Sequence, residues 1–283
     1  MEQIHIVQSP KVLVVVPSYN QGKFIEETLN SIFGQTYKNT KIVVMDGGST
    51  DNSVEVIKRY SSKLGYWRSY SDGGQAAAIN EGINYGQDCE YVCWLNSDDI
   101  LLPAGIERMV NFLENKPGYL AVFGKAFIID ENSNRIGVYP TEEFSKERFS
   151  LSCTICQPAT LIRSSAWYQA GGLNEKLHMC MDYDLWWKIS SVGLIGHLKE
   201  FVACSRDYST TKTRTNQKQH YWEAFQILKR YLGYVPWKWC KSRALNLVKF
   251  KNPVLKKIVA APLAIWFYSR AILRETYLSK CDA

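Results

Sequence analysis

The run Tyr91-Val92-Cys93-Trp94-Leu95-Asn96-Ser97-Asp98-Asp99 passes from an apolar, β-favouring stretch directly to an amide, a hydroxyl and two carboxylates, with Pro103 close behind. Buried parallel strands that deliver acids to the carboxyl edge of an open α/β sheet read this way, and that edge is where such folds take their ligands. Adjacent carboxylates repel one another unless a cation or hydroxyl donors compensate them. A divalent metal carrying phosphate oxygens is one solution. Capping of a helix that begins near Pro103 is the other. The acid pair alone leaves both open.

The elements that must position these acids repeat a pattern. Residues 12–16 are a continuous aliphatic run ended by Pro17, followed by the polar Ser18-Tyr19-Asn20-Gln21-Gly22. Phe24, Ile25, Thr28, Leu29, Ile32 and Phe33 then recur at helical spacing. Residues 41–45 run into Asp46-Gly47-Gly48-Ser49-Thr50-Asp51, where glycines permit close backbone approach and a Ser, Thr or Asp can cap a helix beginning near Ser53. Residues 64–70 predict a third strand ending at Asp72-Gly73-Gly74, and a helix over 75–85 leads to Tyr91. Strand, loop and helix thus recur four times, which predicts a parallel, doubly wound sheet with polar loops along one edge. No GxGxxG is present, which disfavours a dinucleotide-binding domain, and the absence of GxxxxGK[ST] excludes a P-loop.

After residue 115 the pattern changes. Residues 120–129 and 136–139 flank the turn-rich Asp130-Glu131-Asn132-Ser133-Asn134 and predict a hairpin. Gln157 and Pro158 precede a short strand over 160–163. Ser164 or Ser165 is placed to cap a brief helix that ends at Gly171-Gly172. Asp182-Tyr183-Asp184-Leu185-Trp186-Trp187 opens another helix, with its acids at the favourable end. Residues 196–204 read as a last strand, and 206–220 as a polar, basic, mobile segment.

The chain has 283 residues, 46% of them hydrophobic and 13% aromatic, enough for a sizeable core and inconsistent with disorder. Its net charge of +7 is unevenly placed: residues 1–217 carry 21 Lys and Arg against 24 Asp and Glu, and residues 218–283 carry 13 against 3. That asymmetry directs the tail toward an anionic partner, lipid head groups or nucleic acid. Residues 1–10 lack a basic segment followed by an apolar one, so no secretory leader is read there. Eight scattered cysteines, with Cys153-Thr154-Ile155-Cys156 a lone CxxC, argue for a reducing compartment rather than for zinc or redox use. From Tyr221 the chain is helical, aromatic and basic. Trp237 and Trp239 alternate with Lys238 and Lys241, and apolar residues 258–268 are flanked by Lys256, Lys257, Arg270 and Arg274. That stretch is too short to span a bilayer but suits a membrane interface. A helix packed on the body with a solvated basic face is the alternative.

With these residues laid out, the chain resembles an inverting GT-A glycosyltransferase of family 2 over residues 11 to about 210. The pieces appear in family order: Val14-Val15-Val16-Pro17-Ser18-Tyr19-Asn20-Gln21, Val43 to Asp51, Asp72 to Gly82, Trp94-Leu95-Asn96-Ser97-Asp98-Asp99, Gln157-Pro158-Ala159-Thr160 and Met181-Asp182-Tyr183-Asp184-Leu185-Trp186. The resemblance implies an α/β GT-A fold, with a Rossmann-like, mostly parallel central sheet flanked by helices and a basic, aromatic helical extension. It divides the chain into a catalytic domain over 1–210, with a nucleotide-binding half at 11–115 and an acceptor-side half at 116–210, and an extension over 211–283.

For the site, the resemblance implies a nucleotide-diphosphate sugar, most often UDP-linked, held by Pro17, Tyr19, Asn20, Asp46, Asp72, Asn96 and Asp98. Mg²⁺ or Mn²⁺ on the diphosphate would fall to Asp98 and Asp99, with Asn96 standing where the family's DxD pattern has its first acid. Asp182 matches the general base that takes the acceptor hydroxyl's proton. Gln157, Pro158 and Trp186 would shape the acceptor side, with Trp186 and Trp187 available to stack on a sugar. Tyr208 stands where relatives often place a metal-ligating His, leaving Asp207 to complete the set. Glu81 stands where they carry a basic residue. The diphosphate's other cations would then come from a lid bearing Arg206, Lys212, Arg214 and Lys218. The implied setting is the cytoplasmic face of the plasma membrane, with residues 221–283 on anionic lipid, no nucleic acid, and a glycan or lipid-linked acceptor. A sugar-nucleotide nucleotidyltransferase on a similar fold and a nucleic-acid-binding module using the tail are the alternatives. The segment over residues 17–23 does not resemble the triphosphate loop of the former, and the tail lacks a base-reading motif for the latter.

Overall fold

The computed structural model describes residues 9–250 and 252–278, with side chains to residue 271. Residues 1–8, most of the stretch in which no leader was read, and the side chain of Arg274 lie outside the described residues. The chain divides into two compact units, Met1–Phe144 with Thr154–Thr211, and Ser145–Cys153 with Lys212–Ala283.

The first unit is a nine-stranded sheet with helices. Its strands are β1 (Val12–Ser18), β2 (Thr40–Asp46), β3 (Tyr66–Ser69), β4 (Tyr91–Trp94), β5 (Ile100–Leu101), β6 (Tyr119–Ile129), β7 (Arg135–Val138), β8 (Thr160–Arg163) and β9 (Leu194–Arg206). Its helices are α1 (Ile25–Phe33), α2 (Ser53–Tyr60), α3 (Gln75–Ile83), α4 (Gly105–Glu114), α6 (Ser164–Gln169) and α7 (Met181–Val192), with α5 (Lys146–Leu151) belonging to the second unit. The strand order is β3-β2-β1-β4-β8-β6-β9-β5, with β7 paired to β6.

The four strands predicted before residue 95 form the parallel half, β3-β2-β1-β4. All seven residues of β1 are buried, because helices cover both faces of a parallel sheet and each side chain needs an apolar neighbour. β1 runs through Pro17 to Ser18 instead of ending at Pro17. Its pairing with β4 stops at Val15 and Trp94, so Pro17 has a sheet neighbour on one side only, where a missing N–H is tolerated.

The sheet is mixed, a correction to the mostly parallel expectation. β8 lies antiparallel to both β4 and β6, β7 antiparallel to β6, and β5 antiparallel to β9, whereas β6 and β9 are parallel. The hairpin over 130–134, the strand over 160–163 and the helix opening at Asp182 stand as their patterns implied. α4 starts later than Pro103 implies, at Gly105 with Ala104 as its cap residue, and β5 intervenes. Asn96, Ser97, Asp98 and Asp99 therefore do not cap it. Nor does Ser164 cap α6: its hydroxyl donates to the Cys89 carbonyl at 2.6 Å.

The second unit holds α8 (Lys212–Thr215), α9 (Gln217–Leu232), α10 (Trp237–Leu247) and α11 (Pro253–Leu278). Residues 212–220, expected to be mobile, are largely helical. Ser145–Cys153 clusters with these helices partly because the indole N–H of Trp239 donates to the Ser150 carbonyl at 2.8 Å in a buried setting. No described helix is long and apolar enough to cross a membrane.

Candidate active site

At the carboxyl ends of β1, β2 and β3 the polar loops are knitted to one another. Asp46, fully buried at the end of β2, accepts from the N–H groups of Gly48 and Ser49 at 3.1 and 2.9 Å and from the hydroxyls of Ser49 and Ser69 at 2.5 and 2.7 Å. The turn it holds needs Gly48 at φ +81°, with no room for a side chain against the Ser71 backbone. Asn20, in the left-handed region at φ 52°, accepts from Thr50 N–H at 2.8 Å, and its own N–H donates to Ser49 Oγ at 2.7 Å. A Cβ on Gly47 would touch the Tyr19 ring at 3.4 Å and the Asp72 carboxylate at 3.6 Å. The exposed Tyr19 ring and Asp72 thus flank a glycine floor, a cradle open to a flat ligand.

Asp72 is fixed from behind. Its Oδ2 accepts from Arg68 Nη1 at 2.8 Å and its Oδ1 from Gly74 N–H at 2.8 Å. Arg68 is buried, donates from Nη2 to Glu81 Oε2 at 2.7 Å and from Nη1 to the Asp46 carbonyl at 2.6 Å, and lies over the Tyr70 ring. Glu81 therefore has a structural partner: Arg68, assisted by the Tyr70 hydroxyl, holds its carboxyl below the usual range against the opposing pull of burial. No sequence pattern marks Arg68, because a lone basic residue in Tyr66-Trp67-Arg68-Ser69 looks like an outward-facing strand position. Ser18 is a second residue that motif reading left without a role: its hydroxyl is buried at the end of β1 with no partner among the described residues.

The acid turn after β4 is held differently. Asn96 accepts from Gln75 Nε2 at 2.8 Å, and its own amide donates to Asp99 Oδ2 at 3.0 Å and to Gln157 Oε1 at 3.2 Å. Gln157 in turn donates to the Trp94 carbonyl at 2.8 Å, and Pro158 is buried beside it. An amide at position 96 supplies a donor to Asp99 where a carboxylate would repel it. Asp99 is buried, and its other oxygen accepts from the Arg206 backbone N–H at 2.9 Å. Both of its oxygens are occupied inside the protein, so the metal role expected of it narrows to Asp98. Asp98 is half-buried, with Oδ2 accepting from the Tyr208 hydroxyl at 3.1 Å.

Burial raises both carboxyls, and repulsion from Asp98 adds to it at Asp99, which is pushed up to about 8. Burial and the Asp98 charge push the Tyr208 phenol up to about 12, so it stays a hydrogen-bond donor. The Arg206 charge offsets this buried acid pair only in part, and a divalent cation would supply the rest. Among the described residues no three His, Cys, Asp or Glu side chains gather as a metal site, so Asp207 does not complete one. The donor set fits Mg²⁺ or Mn²⁺ that keeps waters and phosphate oxygens as most of its ligands, bound through one carboxylate.

Arg206 is not a lid residue. Its side chain is buried, with Nε donating to the Asp98 carbonyl at 2.7 Å, Nη1 to the Asp130 carbonyl at 2.9 Å and Nη2 to Glu27 Oε2 at 2.7 Å, and it lies over the Phe24 ring. It fastens the acid turn to α1 and the β6–β7 hairpin. Lys212, Arg214 and Lys218 are exposed residues of the second unit.

Helix α7 packs on the last residue of β4. Trp186 is buried, and its indole lies parallel to that of Trp94, with centroids 6.3 Å apart, while Trp167 meets Trp94 edge-on at 6.0 Å. Trp186 and the buried Trp187 therefore face protein and not a sugar. Asp182, half-exposed in the first turn, precedes Trp186 by four residues and so shares its helix face. The stack packs this face of α7 on the last residue of β4. Asp184 points elsewhere, fully buried with Lys188 at 3.3 Å.

Comparison with known proteins agrees with this architecture. Residues 13–169 match the model of glycosyl transferase family 2. An uncharacterized glycosyltransferase of Rickettsia typhi is 32% identical over 237 residues, covering 77% of this chain and 72% of that protein. A chondroitin synthase of Pasteurella multocida is 29% identical over 81% of this chain, which spans only 24% of the synthase. Among solved structures, S. aureus TarS in complex with UDP-GlcNAc superimposes with a TM-score of 0.63 at 18% identity, covering 89% of this chain and 71% of that one. The mannosyltransferase PcManGT of Pyrobaculum calidifontis, in complex with GDP-Man and Mn²⁺, gives 0.59 at 17% identity, covering 95% and 84%. The first unit with the helices that follow is therefore a GT-A-like fold.

Proposed function

The chain belongs to glycosyltransferase family 2, and from that premise we propose an inverting transfer of a sugar from a UDP-linked donor to a hydroxyl of a glycan or lipid-linked acceptor. The observation that best supports this reading is the Trp94–Trp186 stack, which packs α7, the helix whose first turn carries the half-exposed Asp182, on the last residue of β4, four residues before Asp98. Tyr19, Gly47 and Asp72 line the cradle for the base, and Asp46, Asn20 and Asn96 build its walls through the hydrogen bonds they already make. Bound with the donor at Asp98, Mg²⁺ or Mn²⁺ supplies charge to stabilise the departing diphosphate. Asp182 takes the proton of the attacking hydroxyl on the opposite side of the sugar, and inversion follows from that geometry. Gln157 keeps Asn96 and the Trp94 carbonyl in place between the two sides.

The donors named for TarS and PcManGT support a nucleotide sugar, and the synthases among the relatives support a polysaccharide or glycolipid product. Seven free cysteines among the described residues favour the cytoplasmic side of the membrane. Lys212, Arg214 and Lys218 remain candidates for the diphosphate's outer cations. The nucleotidyltransferase alternative falls away with family membership.

The test is release of nucleoside diphosphate from a panel of UDP-, GDP- and dTDP-sugars with Mn²⁺. Asp98→Asn and Asp182→Asn are each expected to lower turnover by about 10²-fold or more without unfolding the protein. Full activity in either variant overturns the assignment.

A further inference from the structure

α11 is apolar on two opposite sides, and only one of them is covered. Ala260, Ala264, Phe267 and Ala271 recur at helical spacing and are buried. That side packs on α10, where Arg243 lies 4.2 Å from the Phe267 ring and Trp237 meets Tyr268 at 5.6 Å. The other side carries Val254, Ile258, Ala261 and Ile265 in one row and Leu255, Val259, Pro262 and Trp266 in the next, all exposed. Ile258 is 62% exposed, Ile265 58% and Trp266 49%, in a protein whose other aliphatic side chains are mostly enclosed. The two rows run about 18 Å along the helix, at 1.5 Å per residue. Lys256, Lys257 and Arg270 border them, the Arg270 guanidinium lying 4.7 Å from the Trp266 ring.

We propose that this outward face of α11 docks in the plane of an anionic lipid surface, with its aliphatic rows among the acyl-chain ends and its cations at the phosphates. Charge selects the lipid. Residues 145–153 and 212–283, the second unit, carry seventeen lysines and arginines against four acids. A second copy of the same face would bring those cations together across a two-fold axis, which like charges oppose. A nucleic acid would neutralise the cations but leave the aliphatic rows in water. An anionic bilayer satisfies both.

Depth follows from the helix itself. Pro262 has no N–H to give to the Ile258 carbonyl, and that open carbonyl sits on the exposed side. At headgroup level water completes its bonding, whereas hydrocarbon would not. The helix therefore lies on the membrane and does not cross it, in keeping with the absence of a spanning helix among the described residues.

Flotation of the full chain tests this with two kinds of vesicle, phosphatidylcholine alone and two parts phosphatidylcholine to one part phosphatidylglycerol. The protein is expected to float with the anionic vesicles, weakly with neutral ones, and less as salt rises. Lys256→Gln with Lys257→Gln should weaken anionic binding by about 25-fold, at roughly five-fold per cation. Ile258→Ser, Ile265→Ser and Trp266→Ser together should abolish flotation while leaving donor turnover unchanged, since none of the three belongs to the acid site. Equal flotation with both vesicles, or wild-type flotation by the serine variant, overturns the proposal. So does absence of flotation, whether the chain sediments as a dimer that the serine variant dissolves or binds an oligonucleotide instead. Because flotation reads the protein alone, it stands or falls separately from the transferase assignment.

Discussion

Two buried arginines stand behind the two halves of the sheet edge, and they hold their acids in opposite ways. Arg68 faces carboxylates, pairing with Asp72 at 2.8 Å and Glu81 at 2.7 Å. Arg206 reaches the acid turn through its backbone, at the Asp98 carbonyl and from its own N–H to Asp99, and gives its ion pair to the distant Glu27. On the β3 side a guanidinium pairs directly with the carboxylates of Asp72 and Glu81 and offsets part of their charge from within. At the end of β4 the acids are fixed in place by hydrogen bonds, with no carboxylate-to-arginine ion pair among the described residues. The second is where the proposed cation would add positive charge, since no described arginine pairs directly with these carboxylates.

Replacing Arg68 by Ala should cost the most. It leaves the nearly enclosed Asp72 carboxylate uncompensated, a loss of about 3–5 kcal/mol in urea unfolding. A loss under about 1 kcal/mol would mean that the two arginines do not differ as described. Arg206→Ala orphans two carbonyls but no buried carboxylate, because Glu27 reaches solvent. Its stability cost should be smaller, about 2–3 kcal/mol, while turnover of the folded protein should fall more than in Arg68→Ala. Arg206→Lys cannot restore three separate contacts and should not rescue it.

A third effect is read as a slope against pH. In the metal-free protein Asp99 keeps its proton to about pH 8, whereas the unfolded chain releases it near the usual carboxylate value. Below about pH 4 both states hold the proton, and between there and 8 the native state holds more, so stability falls as pH rises through that window. Asp99→Asn should flatten the decline in thermal melts, and adding Mn²⁺ with UDP should do so in the wild type. An unchanged slope in the variant would locate the titration elsewhere. Tyr208→Phe should be mildest, about 0.5–1.5 kcal/mol. Because the hydroxyl opposes the rise of Asp98, its loss should move the acid limb of the pH–rate profile upward, and a downward move would contradict the bond.

What could be read from residues alone were the features with a local signature. Continuous aliphatic runs announced β1, β2 and β4, since burial on both faces leaves no alternation to look for, and the acids at their ends announced the edge. The mixed half was opaque because β8 and β6 owe their antiparallel pairing to partners far away, and two-residue β5 has no pattern of its own. Depth was equally hidden. Trp186 and Arg206 looked available to ligands because type and spacing do not tell a side chain facing solvent from one enclosed by Trp94 or Phe24. Asp99 looked like a ligand for the same reason, its two oxygens being claimed by groups three and 107 residues away.

β5 follows β4 in the chain yet pairs with β9, and Arg206, the last residue of β9, closes on Asp98 and Asp99. The acid turn therefore cannot assume its working shape until a strand about a hundred residues later has been made. During synthesis the parallel half can condense first, from short-range connections, while the turn waits on a long and slow loop closure. On the proposed site, a chain ending before Arg206 is expected to lack metal-dependent turnover even where β1 to β4 have formed.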